Sequence, residues 1–381
     1  MIFLCSSSGV IKKVQAHEIP KRGDFTGGVV SNVAHSFVGS TGERELDKKI
    51  LDLVDGLSSV SDKALLAEMI TTAVRMARGN TDISDFKIAN RTLREMRESN
   101  EVFHPYRNIR KVSLFGSART QPDEPEYQAG VEFSRRMKEE GFMTITGAGP
   151  GIMAAGNEGA TRDFSFGLNI TLPFETSANP FIKGDPKLID YDFFFTRKLA
   201  FVKEAHAAVG MPGGVGTMDE VFEALTLIQT GKVTVYPIIC LDAKGGTYWK
   251  AWNQFVVEHL SRLKLISDTD FHLFTVTDDI EEAVSEILQF YKIFHSYRYV
   301  GDQIVLRLTS QLTNAAIKKL SDDFQDIIKV GEIEKCGPLA QEGSEPEFDD
   351  LFRIKFRHKR RNFGRLRQFI NAINDSETVE P

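Results

Sequence analysis

Between residues 111 and 291 the sequence repeats one unit: a short apolar run, a turn, then an amphipathic stretch with helical spacing. This alternation constrains the chain more than any other feature. Successive strands joined through helices pair in parallel, and a parallel sheet needs helices on both of its faces. The runs at 111–115, 142–146, 167–172, 192–195, 207–211, 235–241 and 273–276 read as seven strands. Helical spacing with few breakers fills 127–140, 151–162, 197–205, 217–230, 247–262 and 279–291. The fold class expected is α/β, a Rossmann-like doubly wound parallel sheet, with ligands at the carboxyl ends of its strands.

A chain of 381 residues has room for more than this sheet, since a domain takes roughly 100–200 residues. Residues 1–44 mix Gly, Ser and charged residues without a sustained period and read as a loosely ordered arm. Residues 45–105 form a helical segment, in which Leu66, Met69, Ile70, Ala73, Val74 and Ala77 share one face and Phe86, Ala89, Leu93 and Met96 another. The Rossmann-like domain occupies 106–293. Residues 294–373 read as a small α+β domain, regulatory or for interaction, with strands at 303–308 and 351–356 and helices at 314–328 and 363–373. Its acidic loop, 342–350, separates the two halves, and 374–381 is a solvated tail.

Composition removes several classes of function. The hydrophobic fraction of 41% and charged fraction of 26% are those of a globular chain with a sizeable core. The net charge of -6 gives no global attraction to nucleic acid or anionic membrane. No run approaches the roughly 18 apolar residues that span a bilayer. The apolar start is too short for a signal peptide, and Lys12 and Lys13 follow it instead of preceding it. The three cysteines, Cys5, Cys240 and Cys336, have no metal-ligand spacing and suit a reducing compartment, so a cytoplasmic location is expected.

Two glycine-rich turns carry the chemistry. Thr146-Gly147-Ala148-Gly149-Pro150-Gly151-Ile152-Met153 joins a strand to a helix, where glycines let a phosphate approach the backbone and the helix dipole favours an anion. A lone turn of this kind more often binds nothing. Pro150 and the missing acid at the next strand end disfavour a dinucleotide. The second turn, Pro212-Gly213-Gly214-Val215-Gly216-Thr217-Met218-Asp219-Glu220, repeats the arrangement, with Thr217 as an added hydroxyl donor. Asp219 and Glu220 taken alone read as acids complementing a helix dipole. Glu223 lies three residues on and shares the face of Glu220. Between the turns, Phe193-Phe194-Phe195-Thr196-Arg197-Lys198 reads as a strand delivering two cations to the same edge, and Arg197 offers a planar fork for phosphate or carboxylate. The three segments together describe a pocket for a phosphorylated ligand.

These residues resemble the lonely guy (LOG) family of nucleoside 5′-monophosphate phosphoribohydrolases, long labelled possible lysine decarboxylases. The resemblance rests on Gly147 to Met153, Thr196-Arg197-Lys198 and the specific motif from Pro212 to Glu220, and spans about 111–291. It implies cleavage of the N-glycosidic bond of AMP, or of an N6-modified AMP of the cytokinin type, with Arg197 and Glu220 as the catalytic pair. It also implies substrate contacts at Ser117, Gly147, Gly149, Gly151, Met153, Lys198, Gly213, Gly214, Gly216, Thr217 and Glu223. No metal and no cofactor are expected, and the partners expected are the nucleotide and a second copy of the chain, with neither membrane nor nucleic acid. The decarboxylase label fits poorly: a pyridoxal phosphate enzyme needs a Schiff-base lysine with a partner for the pyridinium nitrogen, and neither Lys198 nor Lys203 has that setting.

Two other readings stand beside the enzyme. One is a carrier or sensor that binds a nucleotide or phosphorylated cofactor without hydrolysing it. The other concerns residues 355–367, whose seven Lys and Arg are either an ordinary solvated face or an anion-effector site. The ends of the chain have no counterpart in the minimal family members.

Overall fold

The computed structural model describes residues 39–172, 177–342 and 346–379. Most of the arm read over residues 1–44 lies outside them, as do Cys5, residues 343–345 of the acidic loop and the last two residues of the tail. Three helices come first: α1 (Arg44–Asp55), α2 (Lys63–Arg78) and α3 (Ile83–Phe103). Then β1 (Lys111–Phe115), α4 (Pro125–Glu139), β2 (Met143–Thr146), α5 (Ile152–Ala160), β3 (Ser165–Ile170), β4 (Leu188–Tyr191), α6 (Phe194–Glu204), β5 (Ala207–Gly210) and α7 (Val215–Gln229) follow. β6 (Ile238–Leu241), α8 (Tyr248–Phe255), β7 (Phe274–Thr277) and α9 (Ile280–Phe290) complete the unit.

The seven strands form one parallel sheet in the order β4-β3-β2-β1-β5-β6-β7. The chain builds outward from β1 to β4, crosses back and builds the other way from β5. The reversal falls between β1 and β5, where an open α/β sheet leaves a crevice at its carboxyl edge. Every residue of β1, β2, β5 and β6 is buried, as strands covered on both faces require. The doubly wound α/β fold is therefore the one expected, but one strand lies elsewhere. The aromatic run 192–195 is no strand: β4 ends at Tyr191 and Phe194 already opens α6. Arg197 and Lys198 thus stand in the first turns of a helix and not at a strand end. Aromatic residues favour strands on average, but here the strand partner of β3 is the preceding segment, and Phe194 and Phe195 are half exposed.

The remaining chain adds a second sheet. β8 (Phe294–Val300), β9 (Gln303–Leu308), α10 (Asn314–Asp323), β10 (Ile328–Cys336), β11 (Phe352–His358) and α11 (Phe363–Asn374) give an antiparallel sheet ordered β10-β11-β9-β8. β8 and β10 escape the sequence pattern. β10 is an edge strand with two register shifts and a left-handed Gly331, so its buried residues do not alternate. This unit shares a core with the parallel sheet, in which Ile228, Phe290, Phe294, Phe356, Phe363 and Phe369 are all buried. A side chain at Gly231 would fall inside the ring of Phe363, so the two units meet at backbone distance.

The charged C-terminal segments are mostly structural. Glu342, at the start of the acidic loop read over 342–350, is 3% exposed and lies 2.8 Å from Arg307 and 3.1 Å from Arg353. The Arg298 guanidinium donates to its main-chain carbonyl. Burial pushes the Glu342 carboxyl up, but the Leu339 N–H and the two arginines outweigh it and leave it below its ordinary range. Within the basic run, Arg367 pairs with Glu286, Arg365 lies 3.0 Å from Asp326 and Arg357 3.2 Å from Asp302.

At the N-terminal side, α3 turns Glu95, Ser99 and Phe103 inward and leaves Phe86, Leu93 and Met96 exposed, the reverse of the apolar-face expectation. Among the described residues no helix is long and apolar enough to cross a membrane.

Candidate active site

The crevice between β1 and β5 is lined by the turns that follow β1, β2 and β5. The Ser117 N–H donates to the carbonyl of Pro212 at 3.1 Å, and the Ile152 N–H donates to the carbonyl of Ser117 at 3.0 Å, so one turn bridges the other two. Gly151 has φ +65, and a Cβ there would collide with the Ser117 carbonyl. Gly147 answers a different need, because a side chain there would occupy the space filled by the Arg197 guanidinium and the Met153 sulfur. Ala148 takes φ 61, a conformation that non-glycine residues rarely adopt. The buried Asn179 holds this strained loop, its amide nitrogen lying 3.1 Å from the carbonyls of both Ala148 and Gly149.

The second turn feeds straight into α7, whose first N–H groups lack intrahelical partners and carry the positive end of the dipole. Tyr248 fixes the turn from behind, donating its hydroxyl to the Gly213 carbonyl at 2.6 Å. A Cβ at Gly213 would collide with the Thr217 side chain, whereas one at Gly214 or Gly216 would meet nothing within 4 Å. The protein's own packing thus requires no glycine at these last two positions. Bare backbone facing open space at a helix N-terminus is what an anion needs to come close.

The charged groups come from α6 and α7, side by side at this rim. Arg197 donates from Nε to the Leu168 carbonyl at 2.7 Å and lies 5.2 Å over the ring of Phe201. Lys198 reaches three acids of α7: Asp219 at 2.9 Å, Glu220 at 3.4 Å and Glu223 at 2.7 Å. Burial drags the lysine pKa down, but hydrogen bonds to Glu223 and Asp219 outweigh it and hold the ammonium above its ordinary range. Glu220 stands the other way. Its burial raises the carboxyl pKa, and the charges of Lys198 and Arg197 only partly offset this.

The site residues singled out from the sequence lie on these three turns, at the start of α5 (Met153), or on α6 and α7, and the Lys198, Glu220 and Glu223 side chains meet directly. Sequence reasoning missed Asp219 as a partner of Lys198, having no reason to set it above an ordinary helix-start acid. It also missed Asn179 and Tyr248, which hold the two glycine turns from outside the motifs.

Fold and site together define an α/β protein with two glycine turns and a cation–carboxylate cluster at the switch point of its sheet. Residues 149–287 match the model of the family described as "Possible lysine decarboxylase", the label once given to the lonely guy proteins, so the resemblance carried by the motifs holds. The pyrimidine/purine nucleotide 5′-monophosphate nucleosidase of Escherichia coli K12 is 29% identical over 176 residues. That match covers 43% of this chain and 37% of the relative, little more than a third of its length.

Among solved structures, the molybdenum cofactor binding protein of Rippkaea orientalis is similar at 17% identity and TM-score 0.34, over 46% of this chain and 94% of that one. The molybdenum cofactor carrier protein of Chlamydomonas reinhardtii is similar at 17% identity and TM-score 0.34, over 48% and 97%. DNA processing protein A of Helicobacter pylori is similar at 12% identity and TM-score 0.35, over 48% and 82%. Likeness at this level bears on neither ligand nor reaction.

Proposed function

We propose that the chain hydrolyses the N-glycosidic bond of a nucleoside 5′-monophosphate, AMP or an N6-modified AMP, to free base and ribose 5-phosphate. The observation that carries this reading is the largely but not fully buried Glu220 beside Lys198 on α7, with Arg197 at the same rim. The N–H groups around Gly214 and Gly216, with the Thr217 hydroxyl, hold the 5′-phosphate as a handle, and Ser117 and the Gly147 turn flank the rest of the nucleotide. The bond from the anomeric carbon to the base breaks with its electron pair leaving on the base, and the sugar develops oxocarbenium character. Glu220 stabilises that charge and aligns the water that adds to the anomeric carbon, while the water's proton ends on the base. Arg197 orients the nucleotide, and Lys198 keeps the carboxylate ionised beside Glu223. The nucleosidase relative supports the reaction class.

The functional unit in this reading is a cytoplasmic homodimer. Phe194, Phe195 and Leu199 on α6 are exposed together with Leu93 and Met96 on α3, the helix packed against it, and a second copy would cover this apolar face. Sedimentation should give a dimer, and the double variant F194D/L199D a monomer; a monomeric wild type contradicts this part.

The enzymatic reading is tested by incubating the chain with AMP, other nucleoside monophosphates and N6-modified AMP and resolving free base by chromatography. Base release from at least one of them is expected, and tight binding with no release indicates a carrier instead.

A further inference from the structure

Helix α6 opens on a residue that cannot cap it. The N-cap position is Phe193, which has no side-chain oxygen for the unpaired N–H groups of the first turn. The carboxylate serving this end comes from another helix. Glu95 of α3 is completely buried, accepts a hydrogen bond from the Asp192 N–H at 2.8 Å and accepts another from the Thr196 hydroxyl in the first turn of α6. One helical turn earlier, Arg91 ties the same junction together, 2.9 Å from Glu95 and 2.7 Å from Asp192. One turn later, Ser99 hydrogen-bonds the Tyr191 hydroxyl at 2.9 Å, and Asn100 accepts from Lys203 near the other end of α6 at 2.7 Å. A carboxylate removed from water is costly unless donors surround it. Here it lies at the N-terminal end of α6, where an anion complements the helix dipole, and its hydroxyl partner Thr196 is next in sequence to the two cations of the site.

We propose that Glu95 is a positioning residue for the cleavage reaction: it fixes the first turn of α6 and thereby the Arg197 and Lys198 that face Glu220. This rests on the function proposed above. It also gives a role to the helices preceding the parallel sheet, which lie outside the family match at 149–287. The phosphate cradle belongs to α7, so loosening α6 should spoil the alignment of the reacting groups more than it weakens nucleotide binding.

The test is the steady-state kinetics of the full chain carrying Glu95→Gln, Thr196→Val or both, beside wild type. Glu95→Gln should lower kcat about tenfold or more with KM changed by less than about threefold, since small misplacements at a reacting centre cost rate steeply. Thr196→Val should lower kcat in the same way, and the double variant should be no slower than Glu95→Gln, because both changes cut one link. Loss of thermal stability with kcat unchanged, or strictly additive effects, overturns the proposal. Isosteric changes are used because truncation of Glu95 leaves a cavity at the helix junction. A wild-type chain that releases no base from any nucleotide overturns the function and this proposal together; an active wild type with an equally active Glu95→Gln overturns this proposal alone.

Discussion

The molecule contains two ionic clusters of opposite balance, one at the rim of the parallel sheet and one in the interior of the C-terminal unit. At the sheet's carboxyl edge a single lysine, Lys198, faces Asp219, Glu220 and Glu223. In the C-terminal unit a single carboxylate, Glu342, faces Arg307 and Arg353, with Arg298 on its carbonyl. In the second cluster the arginines satisfy both carboxylate oxygens and hold Glu342 in its charged form, so it acts as a lock between strands and loop. In the first, burial holds the Glu220 carboxyl pKa up despite its cationic neighbours, as in sites that act on a ligand. The difference teaches that the burial and pairing of a charge do not mark function. What sets the first cluster apart, in the function proposed, is the incompletely compensated Glu220 on the helix whose N-terminus is exposed.

The comparison can be broken most decisively at Glu220. Replacing it with Gln keeps the shape but removes the charge that faces the oxocarbenium, so kcat should fall by about 10³-fold or more with nucleotide affinity nearly intact. Its raised carboxyl pKa fixes the sign of the stability effect. Folding makes this carboxylate harder to ionise than it is in the unfolded chain, so Glu220→Gln should not lower the melting temperature at neutral pH. Glu342→Ala should do the opposite. It removes the carboxylate that the buried Arg307 and Arg353 share, with an expected cost of about 3–5 kcal/mol in chemical denaturation and unchanged kcat below the transition.

A smaller effect sharpens the contrast. Lys198→Met removes the cation nearest Glu220, which should push its carboxyl pKa further up. The acid limb of the kcat/KM profile then moves to higher pH, with the loss of rate greater at pH 6 than at pH 8; an unmoved limb would show that Lys198 does not tune this carboxylate.

How much of this was legible in the sequence depended on the range over which each residue acts. The glycine turns could be read because a glycine-rich strand-to-helix turn is itself a local signal, although the groups that crowd Gly147 and Gly151, the Arg197 guanidinium and the Ser117 carbonyl, come from elsewhere in the chain. The motif from Pro212 to Glu220 fixed the helix start and its acids together. The aromatic run 193–195 misled, since its strand propensity was overridden by pairing of the preceding segment with β3. Glu95 left no signal at all. Its partners Asp192 and Thr196 lie 97 and 101 residues along the chain, and on a helix rich in charged residues nothing distinguishes a buried glutamate from its solvated neighbours. The same holds for Glu342, which reads as one more acid in an acidic loop until the fold brings Arg307 and Arg353 around it.

The central claim is that the cluster around Glu220 breaks a glycosidic bond. Chromatographic detection of free base after incubation of wild type and Glu220→Gln with AMP and related nucleoside monophosphates tests it most directly. Stoichiometric base and ribose 5-phosphate from wild type, with turnover lost in the variant although it still binds the nucleotide, is the predicted result. No base from any nucleotide, or equal release by the two proteins, would contradict it.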